Sequence, residues 1–305
     1  MSHKGEPVRG EKIDFTPLND VRCQLGEGPT WDARRNALWY VDIDGCVLHR
    51  ASIADGAHRA WPFETEVCSI GIAASGRVLV ALRKIIGLFD PDTGRFDQIA
   101  TIEADEPGTR LNDGKVGPDG AFWVGSMDGR AEKTGGPLGV LYRVTADGSV
   151  EKKIDGLTTS NGLAFTPDGR TMFHSDSRGP WIDRWDFDAK TGRISNRTRL
   201  ATLTEETGRP DGGATDAEGC YWSAGISAQR LNRFSRDGAL IATYPVPVAA
   251  PTMPCFGGPD LKTLYVTSLR TGRAPERLAQ YPLTGIVVAG RSPVAGSPVT
   301  MFRDQ

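Results

Sequence analysis

Apolar and polar residues alternate along most of this chain in short runs, and turns that contain glycine separate the runs. Alternation with a period of two is typical of strands with one buried face, whereas a helix needs a period of about 3.6. Aromatic and aliphatic residues directly after a turn recur at 37–41, 76–80, 119–124, 168–173, 218–222 and 262–266. Their spacing of about 40 to 50 residues matches one four-stranded propeller blade. The pattern predicts an all-β chain that forms a six-bladed β-propeller with four antiparallel strands in each blade.

A second apolar run with interspersed polar residues follows each of these and predicts the next strand of the same blade. These runs are 47–50, 87–90, 141–144, 182–185, 231–234 and 278–281. Asp-Gly and Thr-Gly turns follow several of them, and glycine supplies the positive φ that such hairpins require. We predict no amphipathic helix, because glycine and proline interrupt the windows that could form one.

The two ends of the chain complete this architecture. A strand near 18–24 is expected to pair with the last blade and close the ring, which removes the exposed sheet edges. The polar segment 1–13 is expected to be flexible, and 14–305 to form a single propeller domain. A large β-sandwich is the alternative, and the regular blade period disfavours it.

Composition and charge exclude several functional classes. The chain has 305 residues and a formal net charge of -2, so nothing electrostatic favours a nucleic-acid partner. No apolar stretch is long enough for a membrane span, and the polar N-terminus lacks the apolar core of a signal peptide. The five cysteines have no CxxC spacing, which indicates free thiols in a reducing compartment. We therefore expect a cytoplasmic protein, and the sequence leaves its oligomeric state open.

Candidate metal ligands stand where the first strand of three blades begins. Glu27 lies between two glycines, Asn161 precedes a glycine, and Asp211 lies between a proline and two glycines. Each motif taken alone is a weak signal and is explained better by an ordinary turn. The first strands of a propeller line its central channel, so ring closure would bring the three side chains together. Two carboxylates and an amide oxygen suit Ca²⁺, Mg²⁺, Mn²⁺, Zn²⁺ or Fe²⁺, and the scarcity of histidine disfavours a His-rich zinc site.

The start of the third blade carries candidate substrate-binding residues. Arg110, Asn112 and Asp113 crowd into one short segment, and strand alternation places Arg110 and Asn112 on one face. A guanidinium and a side-chain amide suit the hydroxyls and carbonyl of a sugar. An Asn-Asp-Gly turn beside an ordinary surface arginine is an equally good reading of this segment.

Five segments carry a resemblance to a known family. The sequence resembles the SMP-30/gluconolactonase/regucalcin family of sugar lactonases, and the matching segments follow the order of that family over nearly the whole chain. They are LGEGPTWD (25–32), RLNDGKVGPDGAFWVGSM (110–127), SNGLAFTPDGRTMFHSDS (160–177), PDGGATDAEGCYW (210–222) and CFGGPDLKTLYVTS (255–268).

The resemblance implies a six-bladed propeller with one catalytic divalent cation in its channel. Glu27, Asn161 and Asp211 would be the protein ligands of that cation, and Asp211 would also be the general base. Arg110 and Asn112 match residues that hold the oxygens of the sugar, and Asp113 of the same motif would assist them.

One departure from the family concerns substrate choice. Arg130 stands three residues after Met127, where some members carry a glutamate that helps to select the substrate. The resemblance therefore implies a role for Arg130 in specificity, and it does not carry over the lactone preference of the animal members.

Metal-assisted hydrolysis of a small-molecule sugar lactone is the function that these features favour. Glucono-, xylono-, galactono- and arabinonolactone are candidate substrates, and the aldonic acids would be the products. The chain has no G-x-S-x-G motif, which disfavours a serine hydrolase. Two alternatives stay open: another metal-dependent esterase or phosphotriesterase on the same scaffold, and a non-enzymatic calcium-binding regulatory protein or interaction module.

Overall fold

Six antiparallel sheets build the described part of the chain, which comprises residue 10, residues 12–130 and residues 136–305 of a computed structural model. One short helix, α1 (Pro275–Gln280), accompanies the strands. The strands in chain order are β1 (Thr16–Arg22), β2 (Gly26–Asp32), β3 (Ala37–Asp42), β4 (Val47–Ser52), β5 (His58–Pro62), β6 (Val67–Ile72), β7 (Val78–Leu82), β8 (Ile85–Phe89), β9 (Phe96–Thr101), β10 (Thr109–Val116), β11 (Phe122–Asp128), β12 (Gly139–Val144), β13 (Val150–Leu157), β14 (Ser160–Phe165), β15 (Thr171–Asp176), β16 (Trp181–Asp188), β17 (Arg193–Thr202), β18 (Pro210–Thr215), β19 (Tyr221–Gly225), β20 (Arg230–Phe234), β21 (Leu240–Pro245), β22 (Pro251–Gly257), β23 (Thr263–Ser268) and β24 (Ile286–Arg291).

The six sheets are the blades of a propeller, as the repeat predicts. Five blades contain four consecutive strands each, beginning with β2, β6, β10, β14 and β18, and the sixth has the order β22-β23-β24-β1. The first strand of every blade contacts the first strand of its neighbours, and β22 contacts β2 to complete the circle. These innermost strands therefore surround a central channel, and their beginnings share one end of it.

An N-terminal strand closes the ring, as predicted. β1 pairs antiparallel with β24, with Thr16 opposite Ala289 and Pro17 opposite Val288. The side chain of Arg22 adds two hydrogen bonds from Nη1, to the carbonyl oxygens of Pro282 at 2.8 Å and Thr284 at 3.0 Å. The strand begins two residues earlier than the predicted 18–24. The first and last parts of the chain are thus joined in one sheet, which covers the outer edge of β24.

Aromatic residues of the second strands fill the space between blades. Trp39, Trp123 and Trp222 are completely buried on β3, β11 and β19, in the runs that define the repeat. A side chain of this size removes about 150–250 Å² from water, so its recurrence in alternate blades supplies much of the packing. Trp222 stacks on Tyr244 with ring centroids 4.7 Å apart and meets the edge of Phe256 in the next blade.

The predicted third strand of the last blade is wrong. Residues 278–281 lie in and just after α1, and β24 forms that strand instead. Pro275 occupies the first turn of the helix, where an N–H group has no partner within the helix and its absence costs nothing. The negative charge of Glu276 in the same turn interacts favourably with the helix dipole. β24 contains Ile286 and adjacent valines, whose branched side chains suit a pleated sheet better than the run 278–281 does. α1 buries no residue and so is not amphipathic, which is consistent with the expectation that the chain has no amphipathic helix.

Some sequence expectations concern parts of the chain that the structure does not describe. The predicted flexible segment 1–13 falls mostly on residues 1–9 and 11, outside the described residues. No helix in the described ranges combines the length and apolarity that crossing a membrane requires.

Candidate active site

A pocket lined by both polar and apolar residues opens at the end of the channel where the innermost strands begin. Its volume is about 170 Å³, and five of the predicted residues line it: Glu27, Arg110, Asn112, Asn161 and Asp211. These residues come from the first strands of four different blades. Ring closure therefore brings together side chains that are up to 184 positions apart in the sequence, as Glu27 and Asp211 are.

A β-bulge lies at each candidate ligand and aims its side chain into the pocket. The pairing of the innermost strands shifts register after Glu27, after Asn161 and across Asp211. Gly28 and Gly162 follow two of the ligands with φ of 54° and 64°, a conformation that glycine adopts without strain. Such bulges bend the strand and redirect a side chain, and they are frequent next to active sites. The Glu-Gly and Asn-Gly pairs in the sequence are the local cause of this geometry.

The three candidate ligands form one buried cluster. Glu27 and Asp211 are each 8% exposed and Asn161 is 4% exposed. The side-chain Nδ2 of Asn161 donates hydrogen bonds to Asp211 Oδ1 and to Ser177 Oγ, both at 2.7 Å. The backbone N–H of Gly28 donates to Glu27 Oε2 at 3.1 Å. The amide of Asn161 therefore fixes the orientation of the Asp211 carboxylate.

Burial raises the pKa of both carboxyl groups. The pKa of Glu27 lies well above its ordinary range because of burial first, and the charges of Asp211 and Asp113 raise it further. Burial and the charge of Asp113 raise the pKa of Asp211 to about 8, although Arg209 and Arg110 oppose this shift. Two carboxylates that are both ionised here would repel each other in a poorly screened interior.

This donor set fits a hard divalent cation. Carboxylate and amide oxygens are the ligands that such cations take in proteins, and Glu27, Asn161 and Asp211 provide two carboxylates and one amide. A dication would also balance the negative charges of Glu27 and Asp211, whose pKa values are raised first by burial and then by neighbouring carboxylates. Glu27, Asn161 and Asp211 are therefore the residues that would hold the cation, and the open side of the pocket leaves room for a substrate.

Arg110 and Asn112 form a fixed polar wall next to this cluster. Arg110 Nη1 donates to Asn112 Oδ1 at 2.9 Å and to the carbonyl oxygen of Leu111 at 2.8 Å. Asn112 Nδ2 donates to Asn161 Oδ1 at 3.0 Å and to the carbonyl oxygen of Ser160 at 2.9 Å. The two predicted substrate-binding residues are thus linked to each other and to the candidate ligand Asn161.

Asp113 lies beneath the pocket rather than on its wall. It is buried, and its Oδ2 accepts a hydrogen bond from the backbone N–H of Leu163 at 3.0 Å. Its Oδ1 has no hydrogen-bond partner among the residues that the structure describes. Burial raises its pKa, and the nearby Lys115 opposes that shift. Asp113 therefore acts on the pocket through its charge, and its assisting role stays a prediction.

Arg130 is also outside the pocket lining in the described part of the chain. Its Nε and Nη2 donate to the two carboxylate oxygens of Asp128, at 3.0 and 2.8 Å, and Nη2 donates to the carbonyl oxygen of Gly136 at 2.7 Å. Met127, three residues earlier on β11, does line the pocket. The predicted influence of Arg130 on substrate choice stays a prediction.

Two arginines on the pocket wall are absent from the sequence-based predictions. Arg178 lies in the turn after β15, and Arg209 directly precedes β18. The sequence does contain a signal, since Arg178 follows the segment 160–177 and Arg209 precedes the segment 210–222. Both segments contribute a candidate ligand, so their flanking residues are expected at the same end of the channel.

Another acidic cluster has a structural role. Ligand atoms of Asp216, Glu218 and Cys220 lie within 4.8 Å of one another. The carboxylate of Asp216, however, accepts hydrogen bonds from Trp222 Nε1 and Arg233 Nε, both at 2.8 Å, and from the backbone N–H groups of Glu218 and Cys220. These bonds hold the turn between β18 and β19, so the carboxylate is already satisfied.

Known proteins with similar sequences and structures include lactonases. The model of the SMP-30/gluconolactonase/LRE-like region matches residues 25–270. A 6-deoxy-6-sulfogluconolactonase of Pseudomonas putida is 37% identical, covering 91% of this chain and 94% of that protein. An L-arabinolactonase of Azospirillum brasilense is 35% identical, covering 94% and 95%. A crystal structure of a calcium-binding protein, regucalcin, from Agrobacterium tumefaciens is 31% identical with a TM-score of 0.90, covering 96% and 98%.

Proposed function

This chain belongs to the SMP-30/gluconolactonase/LRE-like family of lactonase enzymes, and on that premise we propose that it opens sugar lactones to aldonic acids with one divalent cation. The observation that carries the proposal is the meeting of Glu27, Asn161 and Asp211 beside Arg110 and Asn112 in one open pocket. That arrangement combines a cation site of hard oxygen ligands with donors for a polyol. The names of two relatives, a sulfogluconolactonase and an arabinolactonase, support a sugar lactone as the substrate.

Each side chain has a distinct task in the proposed reaction. A cation held by Glu27, Asn161 and Asp211 would polarise the lactone carbonyl and would stabilise the negative charge that develops on its oxygen. Asp211 takes a proton from the water that attacks the carbonyl carbon, and it returns the proton to the ring oxygen when the carbon–oxygen bond breaks. Asn161 keeps the Asp211 carboxylate oriented through its 2.7 Å hydrogen bond.

Arg110 and Asn112 position the sugar rather than take part in proton transfer. Their mutual hydrogen bond restricts the rotamers of both side chains before the substrate arrives, which lowers the entropy cost of binding. Asp211 must be ionised to accept a proton. Without a cation, burial and the charge of Asp113 raise its pKa to about 8. A bound cation would lower that value and keep the carboxylate ionised.

A metal-dependent lactonase assay tests this proposal. Hydrolysis of glucono-, xylono-, galactono- and arabinonolactone is followed with a pH indicator after EDTA treatment, and then during titration with Ca²⁺, Mg²⁺, Mn²⁺, Zn²⁺ or Fe²⁺. The rate without enzyme is subtracted, because lactones also open in water. We expect turnover that EDTA removes and one or more cations restore. The absence of turnover with every cation and lactone would rule the proposal out.

A calcium-binding protein without catalysis is the second candidate. The structural neighbour from Agrobacterium tumefaciens is described as a calcium-binding protein, and the same carboxylates would bind Ca²⁺. This candidate predicts calorimetric Ca²⁺ binding that Glu27→Gln removes, without turnover of any lactone.

The cysteines support a cellular location. None of the five forms a disulfide in the described chain, which is typical of a reducing compartment, so we propose the cytoplasm.

A further inference from the structure

Arg178 and Arg209 line the pocket but have no task in the proposed reaction. They line the cavity together with Arg110, Glu27 and Asp211. Like Arg110, each has a guanidinium, which offers only hydrogen-bond donors and always carries a positive charge. What they bind must therefore accept hydrogen bonds and tolerate that charge.

The guanidinium of Arg178 is uncommitted. Its backbone N–H donates to Asp176 Oδ1 at 2.9 Å, which anchors the turn. The carboxylate of Asp176 accepts hydrogen bonds from backbone N–H groups of that turn and of Thr158 and Thr159, so it does not pair with the arginine side chain. Within the described ranges, the guanidinium of Arg178 has neither a hydrogen bond nor an ion pair. An anchored turn thus presents a free cation at the mouth of the pocket.

Arg209 is held in place by its backbone while its side chain lacks a full set of partners. Its N–H donates to Ser227 Oγ at 2.9 Å, and its carbonyl oxygen accepts from the N–H of Ile226 at 3.1 Å. The Nε atom is buried and has no hydrogen-bond partner among the described residues. The carboxylate of Glu205 forms an ion pair with this Nε, but Glu205 is 70% exposed and the two atoms are 3.7 Å apart, too far for a hydrogen bond. A buried donor without a partner is costly and indicates a missing acceptor.

The charge balance of the pocket also favours an anion. A bound dication would balance Glu27 and Asp211. Among the described residues, Arg110 and Arg178 then have no ion pair, and Arg209 pairs only with the exposed Glu205. A neutral polyol leaves these charges unbalanced, whereas a carboxylate, sulfonate or phosphate group supplies both the charge and the acceptor atoms.

We propose that Arg178 and Arg209 form an anion subsite, and that the preferred substrate is a sugar lactone with an anionic group at the end remote from its ring carbonyl. This inference rests on the proposed lactonase function and names its substrate class. Arg209 directly precedes β18, two residues before Asp211, and Arg178 lies exposed in the turn after β15. Arg178 contacts the anion from the more exposed side.

Paired substrates test the subsite. The kcat/KM of the cation-loaded enzyme is measured for glucono-1,5-lactone and for its 6-phospho and 6-deoxy-6-sulfo counterparts, at low and high salt. We expect the anionic lactones to be preferred by about tenfold or more at low salt, with a smaller preference at high salt. Comparison of the sulfonate with the phosphate identifies which anion the subsite fits.

Variants assign the preference to the two arginines. Arg178→Gln and Arg209→Gln should each lower the ratio of anionic to neutral kcat/KM about tenfold, and Arg178→Lys should lower it less because the charge remains. Arg59→Gln is the matched control, since Arg59 lies on β5 at the outside of a blade, and it should leave the ratio unchanged. Thermal unfolding verifies that every variant is folded.

The outcomes separate this inference from the proposed function. Turnover of neutral lactones without preference for the anionic ones, or a preference that both glutamine variants retain, would overturn the anion subsite and leave the lactonase function intact. Failure to hydrolyse any lactone, neutral or anionic, would overturn both.

Discussion

Replacing Asp211 with asparagine should stabilise the cation-free protein at neutral pH while removing its response to cations. The folded-state pKa of Asp211 is raised from 3.8 to about 8 by burial and by Asp113. Between these values the folded carboxyl keeps its proton and the unfolded one loses it, so stability falls as the pH rises through this window. Each pH unit costs about 1.4 kcal/mol, or about 3 kcal/mol between pH 5 and pH 7. Asp211→Asn cannot titrate, and its Oδ1 still accepts the hydrogen bond from Asn161.

Denaturant unfolding in EDTA at pH 5 and pH 7 measures this effect. The stability of Asp211→Asn relative to the wild type should rise by about 3 kcal/mol between the two pH values. A divalent cation at a hundred times its dissociation constant should then stabilise the wild type by about 2.7 kcal/mol, and the variant much less.

Asp216→Asn is the matched control from the same blade. Asp216 is fully buried, but its carboxylate is held by Trp222 and Arg233. Its replacement should destabilise the protein by about 2 kcal/mol, because charge-assisted hydrogen bonds are lost, and the cation response should be retained. If Asp211→Asn also destabilised the cation-free protein at pH 7, or responded to cations as the wild type does, the reasoning about this carboxylate would be wrong.

Three further predictions concern the support of the site and the ring. Burial, with a smaller effect of Arg197, lowers the pKa of His174 to about 3. The neutral imidazole therefore contributes fully to stability above pH 6.5, and this contribution is lost as the pH falls. Denaturant unfolding should show that the wild type loses about 2 kcal/mol of stability between pH 6.5 and pH 5 and that His174→Asn does not. Gly125→Ala should cost about 1–3 kcal/mol and reduce lactone turnover, since the added methyl group would collide with Ser160 next to Asn161; wild-type melting temperature and rates would contradict this. Deletion through Arg22 removes β1 and exposes the edge of β24. We expect a lower unfolding temperature, and aggregation in size-exclusion chromatography. A monodisperse protein with an unchanged unfolding temperature would show that β1 is dispensable.

Periodic features of the fold could be predicted because they repeat. Trp39, Trp123 and Trp222 occupy the same place in alternate blades, so the sequence indicates the same buried strand three times. The last blade departs from the repeat, because α1 (Pro275–Gln280) is inserted before β24. A single short run such as 278–281 cannot distinguish strand from helix by its pattern alone, and its assignment failed for that reason.

Candidate ligands could be predicted from their place in the repeat, but their surroundings could not. Glu27, Asn161 and Asp211 each begin an innermost strand beside a glycine, and the closed ring then determines that they meet. Arg178 and Arg209 lie outside those strands, and only the folded turns bring them to the same wall. Hydrogen bonds such as that from Asn112 to Asn161 depend on the register shifts of the bulges, which the sequence pattern does not specify.

Anomalous diffraction from crystals soaked in Mn²⁺ tests most directly whether three distant side chains hold one cation on the channel axis. The account predicts one strong peak at the open end of the channel, at coordination distance from oxygen atoms of Glu27, Asn161 and Asp211. A peak at Asp216, Glu218 and Cys220 with nothing at the channel, or no peak in crystals grown near neutral pH, would contradict it.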